Sequence, residues 1–158
     1  MMDDKLKRIG LISDTHGLLR DSAEEALTDS DIIIHAGDID TPEIIDTLKT
    51  IAPVFPVRGN MDRNPYGAAL HKYEIVEMNG ISIYVIHDLY QLDLDPAVAG
   101  FEVVVSGHSH RPKIQYREDV LYINPGSAGP RRFTLPISVG MLEIEDGRIT
   151  PKIIELET

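Results

Sequence analysis

The sequence contains no cysteine. That absence excludes a disulfide-stapled scaffold, thiolate zinc sites and a cysteine nucleophile, and it points to the cytoplasm as the compartment. Cationic side chains are also scarce: 15 Lys and Arg stand against 26 Asp and Glu, for a formal net charge of −11. Such a surface repels nucleic acid and anionic membranes, so neither a nucleic-acid-coating module nor a membrane-bound protein is expected. A small phosphoester remains compatible, because bound divalent cations make the field around them positive. Long hydrophobic runs are missing, and the longest, around Ile81 to Ile86, falls far short of the roughly 18 residues that a bilayer span needs. The opening Met1-Met2-Asp3-Asp4-Lys5-Leu6-Lys7-Arg8 carries charges without an apolar stretch and does not resemble a secretory signal. There is no internal repeat, low-complexity tract or charged linker. With 158 residues, 42% of them hydrophobic, the chain is expected to form one domain over 1–158 with its own core.

What is present alternates strand and helix in the first half. Arg8 to Ser13 is a short apolar strand. Asp21-Ser22-Ala23-Glu24 offers an acidic variant of the capping box ahead of Glu25-Ala26-Leu27. Asp31 to His35 is a β-branched strand; Thr41 can cap a helix that begins at Pro42 and places Ile44, Ile45 and Leu48 on one face. Val54 to Val57 is a third strand, which its flanking prolines make short or peripheral. The second half is mostly β. Tyr73 to Met78 and Ile81 to His87 flank Asn79-Gly80, a strong hairpin signal. A short helix over Asp95 to Ala99 follows, then strands at Phe101 to Ser106 and Val120 to Asn124, and a terminal hairpin turning at Asp146-Gly147. The expected fold is α/β: two mixed sheets packed face to face as a sandwich, flanked by α-helices.

Polar residues follow each apolar strand in a pattern unlike ordinary surface. The first strand runs into Asp14-Thr15-His16-Gly17, the second into Gly37-Asp38, and the third into Gly59-Asn60-Met61-Asp62. The hairpin strand ends at His87-Asp88 and the next at Gly107-His108-Ser109-His110. Ligands gather at the carboxyl ends of strands in α/β sheets, so these five loops can converge. They bring together Asp14, His16, Asp38, Asn60, His87, His108 and His110, a nitrogen-and-oxygen donor set suited to Zn, Mn, Fe, Co or Ni rather than calcium. If the loops continue as extended strand, i and i+2 side chains face the same way, which lets Asp14 and His16 share an ion. His108 and His110 have that spacing too, although a loop can turn them toward different ions.

The ordered set Asp14-x-His16, Gly37-Asp38, Gly59-Asn60-x-Asp62, His87 and Gly107-His108-x-His110 resembles the calcineurin-like metallophosphoesterase superfamily. The short chain and Ile123-Asn124-Pro125-Gly126-Ser127 resemble its small prokaryotic phosphodiesterases of YfcE type. The resemblance implies the two-sheet sandwich and two divalent ions per chain, manganese favoured among Mn, Zn, Fe, Ni, Co and Mg. It implies that Asp14, His16, Asp38 and His110 hold one ion and Asp38, Asn60, His87 and His108 the other, with Asp38 shared. The implied reaction is phosphodiester hydrolysis by a hydroxide bridging the ions, with Asn60 beside the charge that develops on phosphorus. Two positions depart from the family pattern. Met61 stands where many members carry a His able to protonate the leaving group, and Asp88 stands where a Gly often follows the ligand at His87.

Several polar residues have plainer readings. His35 is expected to be packed or to support a neighbour, His71 to lie on the surface, and Asp62 to fix its loop. Ser127 lacks the setting of a nucleophile elbow, since Pro125 occupies its first glycine position. Arg131 and Arg132 form a solvated pair or steer a phosphate. Two other functions remain open: a non-enzymatic scaffold of the same fold, as in the retromer subunit, and a phosphomonoesterase or nuclease on the same metal site. A homo-oligomer is compatible with all of these.

Overall fold

The computed structural model describes residues 5–157. The first four residues of the opening segment considered above lie outside that range. Ten strands form two five-stranded sheets. In the first sheet, β1 (Lys7–Ile12), β2 (Ile32–His35) and β3 (Val54–Pro56) run parallel, and β9 (Ser138–Glu145) and β10 (Arg148–Glu155) extend it antiparallel in the order β10-β9-β1-β2-β3. In the second, β5 (Ile81–Ile86), β6 (Val103–Val105) and β8 (Val120–Asn124) are parallel. They are bordered by antiparallel β4 (Tyr73–Met78) and β7 (Lys113–Arg117), in the order β4-β5-β6-β8-β7.

The central strands are apolar on both faces because both faces are covered. Between the sheets, Ile9, Leu11, Ile32 and Ile34 pack with Ile83, Val85, Val103, Val105, Leu121 and Ile123. On the outer face of the first sheet, Ile12, Ile33 and Val139 meet Ala23 of α1 (Asp21–Ala26), the following Leu27, and Ile44, Ile45 and Leu48 of α2 (Pro42–Lys49). On the outer face of the second, Tyr84, Ile86, Val104 and Val120 lie under α4 (Pro96–Ala99) and a 3-10 turn, Leu89–Gln91.

Most element boundaries fall within a residue or two of expectation, and β3 is the short edge strand its prolines indicate. Three local expectations are corrected. Asp21 is not a cap: it begins the helix, whose N-cap is Arg20, so its charge meets the helix dipole from inside the first turn. Thr41 does occupy the N-cap of α2, but through backbone alone, without a side-chain bond. The strand β7 and the one-turn helix α3 (Pro65–Ala68) are additional elements. The first escapes notice because Lys-Ile-Gln-Tyr-Arg is mostly exposed and edge-bound, and because its hairpin turns on Glu118-Asp119 rather than on a glycine.

Candidate metal centre

The parallel strands β1, β2, β3, β5 and β6 bring their carboxyl ends to one edge of the sandwich, so their loops meet. Backbone bonds lock the loops together. The Asp14 N–H donates to the Gly37 carbonyl at 3.0 Å, that of His16 to Asp38 at 3.0 Å, and that of Gly107 to His87 at 2.9 Å.

Two groups of donor atoms result, Asp14 with His16 and His110, and Asp38 with His87 and His108; within each, one donor atom per residue lies within 4.8 Å of the others. The Asp38 carboxylate lies between the groups: its Oδ2 is 3.7 Å from His16 Nε2 and 3.2 Å from His87 Nε2. Asn60 Oδ1 completes the second group, 3.0 Å from His87 Nε2 and 3.2 Å from His108 Nδ1. All seven residues singled out from sequence therefore meet in one place.

The way they meet differs from expectation. Asp14 and His16 do not continue an extended strand: their φ values are +55° and +45°, and Asp38, His108 and His110 are also left-handed. Left-handed backbone, not strand alternation, aims these side chains, and it turns His108 and His110 into different groups. At Gly37, φ is +103° and a Cβ would come 2.7 Å from His87 Nδ1, so both conformation and space require glycine. His87 needs no glycine after it. Asp88 is extended at φ −117° and uses its carboxylate to accept the Tyr90 N–H at 3.0 Å, starting the 3-10 turn.

Electrostatics single out Asp14. Its Oδ2 accepts from Ser13 Oγ at 2.8 Å and from the His108 N–H at 3.1 Å. Its Oδ1 is buried without a hydrogen-bond partner, facing Nε2 of His110 at 3.5 Å and of His16 and His87 at 3.8 Å. Burial, outweighing the pull of His87, pushes its pKa up to about 6. Burial also brings His110 down to about 4 and lowers His16, and the Arg132 charge acts on both in the same direction. Burial opposes the Asp38 carboxylate and the His87 imidazolium, yet their mutual hydrogen bond and charge win, lowering Asp38 and raising His87. His87 Nδ1 donates to the Ala36 carbonyl at 2.7 Å, which orients the ring and leaves Nε2 facing the cluster. A buried, unpartnered carboxylate oxygen ringed by imidazole nitrogens fits a divalent cation, which needs such oxygen and nitrogen donors and no sulfur.

The plainer readings hold as well. His35 is fully buried. Its Nδ1 accepts the Gly37 N–H at 3.1 Å, so Nε2 carries the proton and donates to Thr15 Oγ1 at 3.0 Å. His71 is exposed beside Glu74. Buried Asp62 accepts four backbone N–H bonds, from Asp38, Ile39, Asp40 and Gly59, at 2.8–3.0 Å. Ser127 Oγ donates to the Asp14 carbonyl at 3.1 Å. Sequence reasoning missed Asn124, whose Nδ2 donates to the Gly107 carbonyl at 2.9 Å and to Ser109 Oγ at 3.1 Å, holding the histidine loop. A strand-ending Asn beside Pro125 was its only signal.

Known proteins resemble this chain in sequence and fold. A probable metallophosphoesterase of Methanothermobacter thermautotrophicus is 38% identical over 160 residues, covering 92% of this chain and 91% of the relative. A phosphodiesterase of Methanocaldococcus jannaschii is 25% identical over 166 residues, covering 94% and 99%. Among solved structures, Vacuolar Protein Sorting 29 from Cryptosporidium parvum shares the fold with a TM-score of 0.76 at 19% identity, covering 97% of this chain and 99% of that one. The family model of the calcineurin-like phosphoesterase superfamily domain matches residues 8–147, and the chain belongs to that superfamily.

Proposed function

We propose that this protein is a metal-dependent phosphodiesterase in which Asp14, His16, Asp38 and His110 hold one divalent ion and Asp38, Asn60, His87 and His108 a second. The observation that carries this reading is Asp14 Oδ1, buried, unpartnered and within 3.8 Å of three imidazole Nε2 atoms. Two ions bound there would acidify a water and neutralise phosphoryl oxygens. The chain supplies the rest. The Asp38 carboxylate, kept ionised beside His87, offers oxygens to both groups while the Met61 N–H fixes its Oδ1 at 2.8 Å. Asn60 directs Oδ1 to the two imidazoles, which leaves its Nδ2, without a partner among the described residues, to donate to a phosphoryl oxygen as charge develops. Phosphodiester rather than monoester chemistry is supported by the name of the Methanocaldococcus relative.

Protein reconstituted with Mn²⁺ is expected to contain close to two ions per chain and to hydrolyse bis(p-nitrophenyl) phosphate, with activity removed by chelator. Asp38→Ala should abolish turnover and lower occupancy of both sites, whereas His71→Ala stays near wild type. Metal content near zero, together with no chelator-sensitive turnover, would replace this reading with that of a scaffold.

A further inference from the structure

Three of the 15 cations of this acidic chain line one cleft beside the candidate centre. The cleft, of about 410 Å³, opens along the His108 loop and is walled on its far side by Arg111, Lys113 and Arg117. Lys113 and Arg117 lie four residues apart on β7, with Gln115 between them on the same sheet face, and Arg111 precedes the strand. None of the three cations forms an ion pair among the described residues. Arg117 instead lies 5.0 Å over the Tyr122 ring and donates to Gln115 Oε1 at 3.3 Å. Arg8 and Lys152, by contrast, both pair with Glu143. With 26 acidic residues available against 15 basic ones, three unpaired cations facing one concavity are an arrangement that an anion would relieve. Asp88 is the single carboxylate on the lining; it sits at the centre's end of the cleft, 3.9 Å from His108 Nε2, and its other oxygen is engaged by the 3-10 turn. Tyr90 stands on the rim, 97% exposed.

Resting on the phosphodiesterase reading above, we infer that this cleft is a second phosphate subsite, and that the substrate is a phosphodiester one of whose ester arms carries a further phosphate group. A diester held between the two donor groups has His108 at its side, so an arm leaving in that direction enters the cleft and reaches the guanidinium groups, whose planar donors match phosphate oxygens. Two kinds of molecule present that chemistry, a nucleotide arm and a phosphorylated polyol arm. The Tyr90 ring provides a stacking surface for the former alone.

The test uses p-nitrophenyl diesters, so that the leaving group is constant. One pair is p-nitrophenyl 3-phosphopropyl phosphate against its 3-hydroxypropyl analogue. The other is the p-nitrophenyl ester of thymidine 5′-phosphate with and without a 3′-phosphate. The phosphate-bearing member of a pair is expected to have a kcat/KM about tenfold higher or more, the effect of one or two charge-assisted hydrogen bonds. The triple variant Arg111→Gln/Lys113→Gln/Arg117→Gln should erase that ratio while leaving bis(p-nitrophenyl) phosphate turnover unchanged. A larger ratio in the thymidine pair, reduced by Tyr90→Ala, identifies a nucleotide arm; equal ratios identify the polyol arm. Ratios near one with normal bis(p-nitrophenyl) phosphate turnover overturn the subsite and leave the phosphodiesterase reading intact. Calorimetric titration of thymidine 3′,5′-bisphosphate into chelator-treated protein reads the subsite without turnover. Binding lost in the triple variant supports it, and equal or absent binding in the two proteins overturns it. Should the triple variant misfold, Lys113→Gln and Arg117→Gln are measured singly, each with a smaller loss in the same ratio.

Discussion

Among the described residues, five of the eleven non-glycine positions with positive φ are proposed metal ligands: Asp14, His16, Asp38, His108 and His110. Each such residue costs on the order of 1–3 kcal/mol, and strain of this kind persists only where surrounding structure enforces it. Side-chain type and order were legible in the sequence, because seven nitrogen and oxygen donors directly after five apolar strands are too many to be ordinary solvated turns. Backbone conformation was not legible, because a β-reading of Asp14-x-His16 and a left-handed one bring the same two side chains together. Met61 carries the residue-scale prediction. It is 48% exposed at the mouth of the centre, has no proton to give, and contributes only its N–H to Asp38. Hydrolysis should therefore depend steeply on leaving-group acidity, fast for aryl diesters and slow for alkyl ones, since general acid catalysis typically contributes ~10²–10⁴-fold. Met61→His should recover part of that factor for poor leaving groups alone. The check is a leaving-group series on both proteins at matched metal occupancy, and a shallow dependence in the wild type would mean that another group already donates the proton.

Elements differ in how much of their reason is local. The strands β1, β2, β5 and β6 are near-continuous apolar runs, and the Asn79-Gly80 turn has the two positive φ values, +51° and +81°, that such a hairpin demands, so their sequences suffice to find them. The strand β7 is found only through its partner β8, because exposed edge residues leave no hydrophobic alternation to read. The loops after β2 and β3 depend on a single carboxylate. Removing Asp62 leaves four backbone donors without their acceptor, so Asp62→Ala should lose about 3 kcal/mol or more of unfolding free energy and weaken metal binding with it. Urea unfolding of the metal-free protein measures the first and metal titration the second; wild-type values for both would remove Asp62 from this role. At the end of β2, burial holds His35 at about 3, below its unfolded value near 6.5. The neutral ring therefore supports the fold fully above pH 6.5, and that support is lost as pH falls toward 3. In metal-free protein His35 should contribute a loss of stability between pH 7 and pH 5, and His35→Asn should remove that contribution, changing the slope by up to ~1.4 kcal/mol per pH unit. Parallel slopes in the two proteins would rule this out.

At the scale of the whole molecule, the centre joins the two sheets. Asp14, His16 and Asp38 follow strands of the first, and His87, His108 and His110 follow strands of the second. An ion held by Asp14 and His110 is thus a cross-link between sheets, and without it the same residues oppose the fold. Asp14 Oδ1 has no hydrogen-bond partner in a buried position, and burial raises the carboxyl to about 6 from an ordinary 3.8. A folded-state pKa raised in this way favours folding below pH 4, and the advantage is lost as pH rises through 6. At pH 7 the ionised group then destabilises the metal-free protein by roughly 3 kcal/mol. Asp14→Asn removes the charge, keeps an oxygen for Ser13 Oγ and the His108 N–H, and places an amide donor where Oδ1 faces His110 Nε2 at 3.5 Å. In chelator at pH 7 this variant should unfold at higher urea concentration than the wild type, and the gap should close as pH approaches 4. With Mn²⁺ at 100 times its dissociation constant, the gap should nearly close: the wild type gains about 2.7 kcal/mol against its deficit of roughly 3, and the variant gains little, because its ligand set is broken. Equal stability of the two metal-free proteins at pH 7, or an equal gain from Mn²⁺, would mean that Asp14 is an ordinary buried carboxylate and that any bound ions are held elsewhere.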